Sequence, residues 1–148
     1  MRQDIALLSL RLSGLGLAFG HGWGKVLRLS TGEGDRLIQA IANLGFPLPG
    51  LFAWAAALAE FLAALLVALG FGTRIAAAFA GFTMFVAAFV RHKAHLHLLV
   101  KLGLMGAGAE QIKGWGNPEL ALAYLIIFVA LTLTGGGRFA VERLIRKR

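Results

Sequence analysis

A chain of 148 residues that is 58% hydrophobic and 15% charged, with mean hydropathy +0.75, is too apolar for a soluble domain, where about 45–50% apolar and about 25% charged residues are usual. Its net charge of +8 does not make it a nucleic-acid binder: the basic residues lie mostly between and beyond apolar runs and do not interleave with aromatics as base stacking requires. The absence of cysteine excludes disulfides, thiol catalysis, iron–sulfur ligation and thiolate metal sites.

The first apolar run predicts a membrane helix over about 5–27, containing Arg11, His21 and Lys25. Its Ala18 and Gly20 imitate a signal-peptide cleavage site, but Arg11 interrupts the run and favours a helix that stays in the membrane. Asn43-Leu44-Gly45-Phe46-Pro47-Leu48-Pro49-Gly50 is a turn-rich connection, with Pro49 suited to the first turn of the next helix. The second span, 51–71, carries a single charge, Glu60, and is long enough for a hydrocarbon core of about 30 Å. Leu69-Gly70-Phe71-Gly72-Thr73 forms a tight hairpin to the third span, 75–90, which is uncharged. The connection 91–118 holds a segment at about 94–110 whose core, Leu96–Ala109, is apolar except for His97 and Lys101. Its length suits an interfacial or re-entrant segment; if it crossed, there would be five helices and the termini would lie on opposite sides. The fourth span, 119–134, leads to Gly135-Gly136-Gly137.

The expected fold is therefore all-α, a single polytopic domain built as a four-helix transmembrane bundle. Ala59/Ala63, Ala64/Ala68 and Ala77/Gly81 have the four-residue spacing that lets membrane helices approach closely. Four spans put both termini on one side. The basic residues divide evenly between the two sides, but the dense tail of Arg138, Arg143, Arg146, Lys147 and Arg148 predicts that the termini are cytoplasmic.

Glu60 is the leading candidate for chemistry. A carboxylate near mid-membrane costs several kcal/mol unless it faces the bundle interior and pairs, so it marks either a ligand or proton site or an ion pair that locks two helices. Depth along the bilayer makes Arg11 the expected partner in a structural ion pair. His21, Lys25 and Glu119 fall toward the opposite surface and, with Glu60, are expected to line a polar pocket opening away from the termini; singly, Lys25 and Glu119 would suit the interface equally well. Trp23, Phe46, Trp54 and Phe61 are the aromatics placed to pack on a bound ring, with Trp54 counted among the ligand-binding candidates. His92, His95 and His97 read as a solvated interfacial patch, so no metal site is expected. A haem lacks a second histidine in the spans. No phosphate-binding loop, nucleophile elbow or His-Glu-x-x-His is present, and no catalytic residue can be named.

Several of these features recur in a known order. Arg11, Gly14 through Phe19, His21-Gly22 and Lys25 are followed by Leu44-Gly45-Phe46-Pro47, then Glu60 in an alanine-rich helix, Leu69-Gly70 and Thr73-Arg74. Pro118-Glu119-Leu120-Ala121-Leu122 and Gly135-Gly136-Gly137-Arg138-Phe139 complete the series. Over nearly its whole length the chain resembles the DoxX family, although Ala140 and Glu142 stand where that family's closing pattern usually has serine and aspartate. The resemblance implies a multi-pass protein of a bacterial or archaeal inner membrane. Relatives include a membrane subunit of a thiosulfate:quinone oxidoreductase and membrane components linked to oxidative-stress and thiol-detoxifying proteins. The expected function is a lipid-embedded subunit, homo-oligomeric or docked to a soluble redox partner protein, that handles a quinone in an electron-transfer assembly. It would hold no covalent cofactor and would not turn over alone. Two rivals are a non-catalytic membrane scaffold or small-molecule binder, and a proton-coupled transporter with Glu60 as carrier acid.

Overall fold

A computed structural model describes residues 1–145; Arg146, Lys147 and Arg148 of the basic tail lie outside the described residues. The described chain contains helices α1 (Arg2–Ser30), α2 (Asp35–Asn43), α3 (Pro49–Leu69), α4 (Thr73–Arg91), α5 (Ala94–Lys101), α6 (Ala109–Trp115), α7 (Glu119–Thr134) and α8 (Val141–Ile145), with no strand among the described residues. α1, α3 and α4 are long and apolar enough to cross a membrane, and α6 with α7 passes the same test as a pair bent by 41°, a broken span or a re-entrant loop. The last apolar run looks short because the 16 residues of α7 reach only about 24 Å at 1.5 Å per residue. The short α5 and α6 occupy the connection between the third and fourth apolar runs. α2 was not anticipated; it is an amphipathic helix whose Leu37, Ile38 and Ile41 are half-buried while Asp35, Arg36, Gln39 and Asn43 are exposed. The chain is a polytopic membrane helical bundle.

Lipid tails are as apolar as leucine, so the helices associate through close packing rather than hydrophobic exclusion. Ile75, Phe79, Phe82, Ile126 and Leu133 are all more than 60% exposed and form the lipid-facing surface. The interior is built from Leu17, Val67, Phe128 and Leu131 among many alanines. Gly14, Ala18 and Gly22 form one face of α1 at four-residue spacing. A Cβ at Gly14 would lie 2.5 Å from the Ala64 carbonyl oxygen, and one at Gly22 would lie 2.5 Å from the Glu60 carbonyl carbon. Hydrogen there lets the backbones of α1 and α3 touch.

Three of the helices contain a wide π turn: Ala18–Gly22 in α1, Ala59–Ala63 in α3 and Val86–Arg91 at the end of α4. Such turns insert an extra residue and re-aim the side chains beside them, often at functional sites. The α1 and α3 turns pack on each other.

At the opposite end, the two chain ends meet the hairpin between α3 and α4. Arg11 is 2% exposed, and its guanidinium donates to the carbonyls of Val67 (3.1 Å), Ala68 (2.9 Å) and Gly136 (3.0 Å). Two of these acceptors belong to the last turn of α3, whose carbonyls lack partners within the helix; a cation there also meets the negative end of the helix dipole. Gly70 has φ +75, and a Cβ on it would lie 2.6 Å from the guanidinium carbon. Glu142 accepts from the Thr73 backbone and hydroxyl at 3.4 Å each and caps the start of α4. Asp4 accepts from the Arg138 backbone at 3.1 Å. Because residues 4 and 138 touch, reporter domains fused after Arg148 and inside the 91–118 connection should report opposite sides of the membrane; the same side for both would rule out this arrangement.

Candidate functional site

The three π turns surround a cavity of about 300 Å³, lined by Leu17, His21 and Lys25 of α1, Glu60 of α3, Met84, Ala87 and His92 from α4 and its end, and Asn117, Leu120, Ala121 and Tyr124 at the start of α7. Glu60 is 3% exposed. Its Oε1 accepts from Lys25 Nζ at 2.5 Å, and the lysine side chain is 30% exposed. No buried side-chain nitrogen or oxygen among the described residues lacks a partner. The second carboxylate oxygen, which Lys25 does not take, therefore reaches open space, and the cavity provides it. The pair is asymmetric: a buried acid is held by a partly exposed cation.

The far wall is fixed by histidines. A carbonyl can only accept, so the 2.9 Å contact from His92 Nδ1 to the Trp115 carbonyl puts the proton on Nδ1, and neutral His92 keeps a free lone pair on Nε2. His97 Nε2 likewise donates to the Gly116 carbonyl at 2.9 Å. Together they pin the bend between α6 and α7, where Gly116 has φ +74 and a Cβ would lie 2.8 Å from His92 Nδ1. Asn117 then caps α7: its side-chain oxygen accepts from the Glu119 backbone at 2.8 Å. The Tyr124 hydroxyl lies near Gly16, where an added Cβ would be 2.8 Å from it. The cavity thus offers an acid, an ammonium, two imidazoles, an amide and a phenol around an apolar floor.

The DoxX family profile matches residues 6–93. The Inner membrane protein YphA of Escherichia coli (strain K12) is 34% identical over 109 residues, covering 74% of this chain and 71% of its own. The chain belongs to the DoxX family. No solved structure matches it. The family match ends at residue 93, so the account of α7 and the closing segment of this DoxX protein rests on the structure.

The structure brings together three of the residues named from the sequence, Glu60, His21 and Lys25, and separates the others. Arg11 does not pair with Glu60. Helical side chains lean toward the N-terminus of their helix, which aims Arg11 away from Glu60 and Lys25 back over the π turn toward it. Arg11 also sits beside Val67 and Ala68, about 10 Å farther along α3 than Glu60 by helical rise. Depth alone therefore selected the wrong cation. Glu119 does not line the cavity; it is exposed and takes a hydrogen bond from the Asn117 side chain at 3.2 Å. Trp54 is 37% exposed and absent from the lining, as are Trp23, Phe46 and Phe61. Phe61 instead packs on Trp23 and Phe19, and Phe46 on Phe52. The aromatic residue in the site is Tyr124. The histidines are not one solvated patch: His92 and His97 are half-buried and bonded, and only His95 is exposed. Among the described residues no three His, Asp or Glu side chains gather as a metal set.

Proposed function

We propose that this DoxX protein, set in the bacterial inner membrane as its relative's name says of that protein, binds the head group of a quinone in the cavity and serves an electron-transfer assembly. The observation that carries the reading is the buried Glu60 carboxylate, held by Lys25 and facing a chamber whose other polar walls are His21, His92, Asn117 and Tyr124. A quinone needs hydrogen bonds to its two oxygens, an apolar bed for its ring and a proton source when it is reduced. The donors Lys25, Asn117 and Tyr124 suit the first need, and Met84, Ala87, Leu120 and Ala121 suit the second. Glu60 and the imidazoles exchange protons. The volume falls at the small end of pockets that hold organic ligands, about 300–1,000 Å³, which fits a head group and leaves its tail in lipid.

Reduction of a quinone to a quinol takes two electrons and two protons. The described residues contain no thiol or metal set, so in this reading a soluble partner supplies the electrons and the isolated subunit binds without turning over. Titration with short-chain ubiquinone and menaquinone analogues, followed by tryptophan fluorescence, should give a saturable change. Trp115 adjoins His92 and Trp23 adjoins Phe61, so both report on the neighbourhood. Glu60→Gln and His92→Ala should each weaken binding by about tenfold, the loss of roughly one good hydrogen bond. No saturable change with either analogue, or one indifferent to both substitutions in folded protein, would leave the scaffold reading as the better account.

A further inference from the structure

A second, larger cavity of about 700 Å³ lies between the last two turns of α1 and the unanticipated helix α2. Its α1 wall is Gly20, Gly24 and Arg28, at four-residue spacing, together with His21 and Lys25. Across from it stand Arg36, Leu37 and Ala40 of α2, with Glu33 and Asp35 at the rim. His21 and Lys25 line this cavity and the inner one. His21 is exposed, Lys25 is half-buried and Glu60 is buried, so burial deepens stepwise from the outer space to the carboxylate. The cavities that reach toward the termini, beside Phe71, Gly72 and Ile75 and beside Thr132 and Leu133, are grooves lined almost wholly by apolar side chains, and no charged residue lines them. There Leu17, Ala64, Val67, Phe128 and Leu131 are at most 2% exposed and close the bundle.

We infer that the cleft between α1 and α2 is an aqueous vestibule through which water, protons and polar ligands reach the Lys25–Glu60 pair, from the face opposite the termini only. The charges agree with this use. Arg28, Arg36, Glu33 and Asp35 line a cavity at the level of α1's last turns, and none is engaged in a salt bridge among the described residues; side chains of this kind keep water in such a space and would not be left unpaired against lipid. The glycines agree as well. An added Cβ at Gly20 meets nothing within 4 Å, and at Gly24 only the Arg28 guanidinium at 3.6 Å, so the lack of side chains there opens space and is not a packing requirement. α2 then has a purpose as the outer wall of a water-filled cleft.

The inference does not depend on quinone as the ligand, because the test reads water. These 148 residues contain no cysteine, so single cysteines can be introduced into them directly. Gly24→Cys and Ala40→Cys, in sealed vesicles of both orientations, are exposed to a membrane-impermeant cationic methanethiosulfonate. Lys101→Cys marks the face of the 91–118 connection, Arg138→Cys the face of the termini, and Ile126→Cys the lipid. Both cleft cysteines should react from the Lys101 face, at rates within about tenfold of Lys101→Cys, and not from the Arg138 face. Ile126→Cys should be slower by at least about 100-fold, since the reactive thiolate is disfavoured in hydrocarbon. Gly20→Cys, one turn deeper, should react from the same face but more slowly than Gly24→Cys. Silence of both cleft positions while Lys101→Cys reacts would overturn the inference, as would reaction from the Arg138 face. The two positions lie on different helices, so misfolding of one variant leaves the other to decide.

Discussion

Arg11→Met should be among the most damaging single substitutions in this protein, lowering its stability in detergent by about 2–4 kcal/mol, since hydrogen bonds to a charged group contribute about 1.5–3 kcal/mol each and removing the buried charge offsets part of their loss. Three carbonyls lose a charge-assisted hydrogen bond at once, two of them in the last turn of α3, where Val67 keeps only the Gly70 amide. Arg11→Lys should recover only part of the loss, since an ammonium is a point charge on a flexible stem and cannot reproduce the guanidinium's planar fork. The measurement is a thermal or denaturant unfolding midpoint in detergent. Double-mutant cycles make it specific: Arg11→Met combined with Glu60→Gln should be additive within about 0.5 kcal/mol, whereas Lys25→Met combined with Glu60→Gln should not be. A midpoint unchanged by Arg11→Met would mean that the guanidinium holds nothing together.

The second large effect is expected at Gly22. Gly22→Ala places a methyl group 2.5 Å from the Glu60 carbonyl carbon and the Phe61 backbone nitrogen. Neither atom can move by a rotamer change, so α1 and α3 must separate. Overpacking of this kind costs about 1–3 kcal/mol when side chains can yield, and more against backbone. Because the displaced contact carries Glu60, the substitution should also weaken ligand binding in the cavity by more than Gly20→Ala does. Gly20→Ala, two residues away and facing open space, should change stability by less than about 0.5 kcal/mol. Equal behaviour of the two variants would count against the close approach of the helices.

The spans could be read from the sequence because long uninterrupted apolar runs have few alternatives in a chain of this composition. α2 escaped because nine residues of mixed polarity leave no such run; only Leu37, Ile38 and Ile41, at helical spacing between Gly34 and Gly45, signalled it. Glu60 stood out as the one charge in its span, and His21 and Lys25 as polar residues near the end of theirs. Choosing between Arg11 and Lys25 required the direction in which helical side chains lean, which depth along the membrane ignores. His92, Asn117 and Tyr124 could not be assigned to the site, since they reach it through a helix end and a 41° bend that no local pattern announces. The spacing of Gly14, Ala18 and Gly22 was present and readable, but abundant alanine and glycine elsewhere in the chain hid it.

The acceptors of Arg11 have a consequence for how this protein is made. Residue 11 leaves the ribosome before residues 67 and 68, and residue 136 follows much later than either. During synthesis the first helix therefore carries a guanidinium whose cost in the membrane is relieved in two instalments, the second only when Gly136 arrives. Until then α1 is most stable at the edge of the bilayer or against the insertion machinery. A nascent chain released before residue 136 would hold an incomplete set of bonds around a charge, which is the kind of fault a membrane protease can detect.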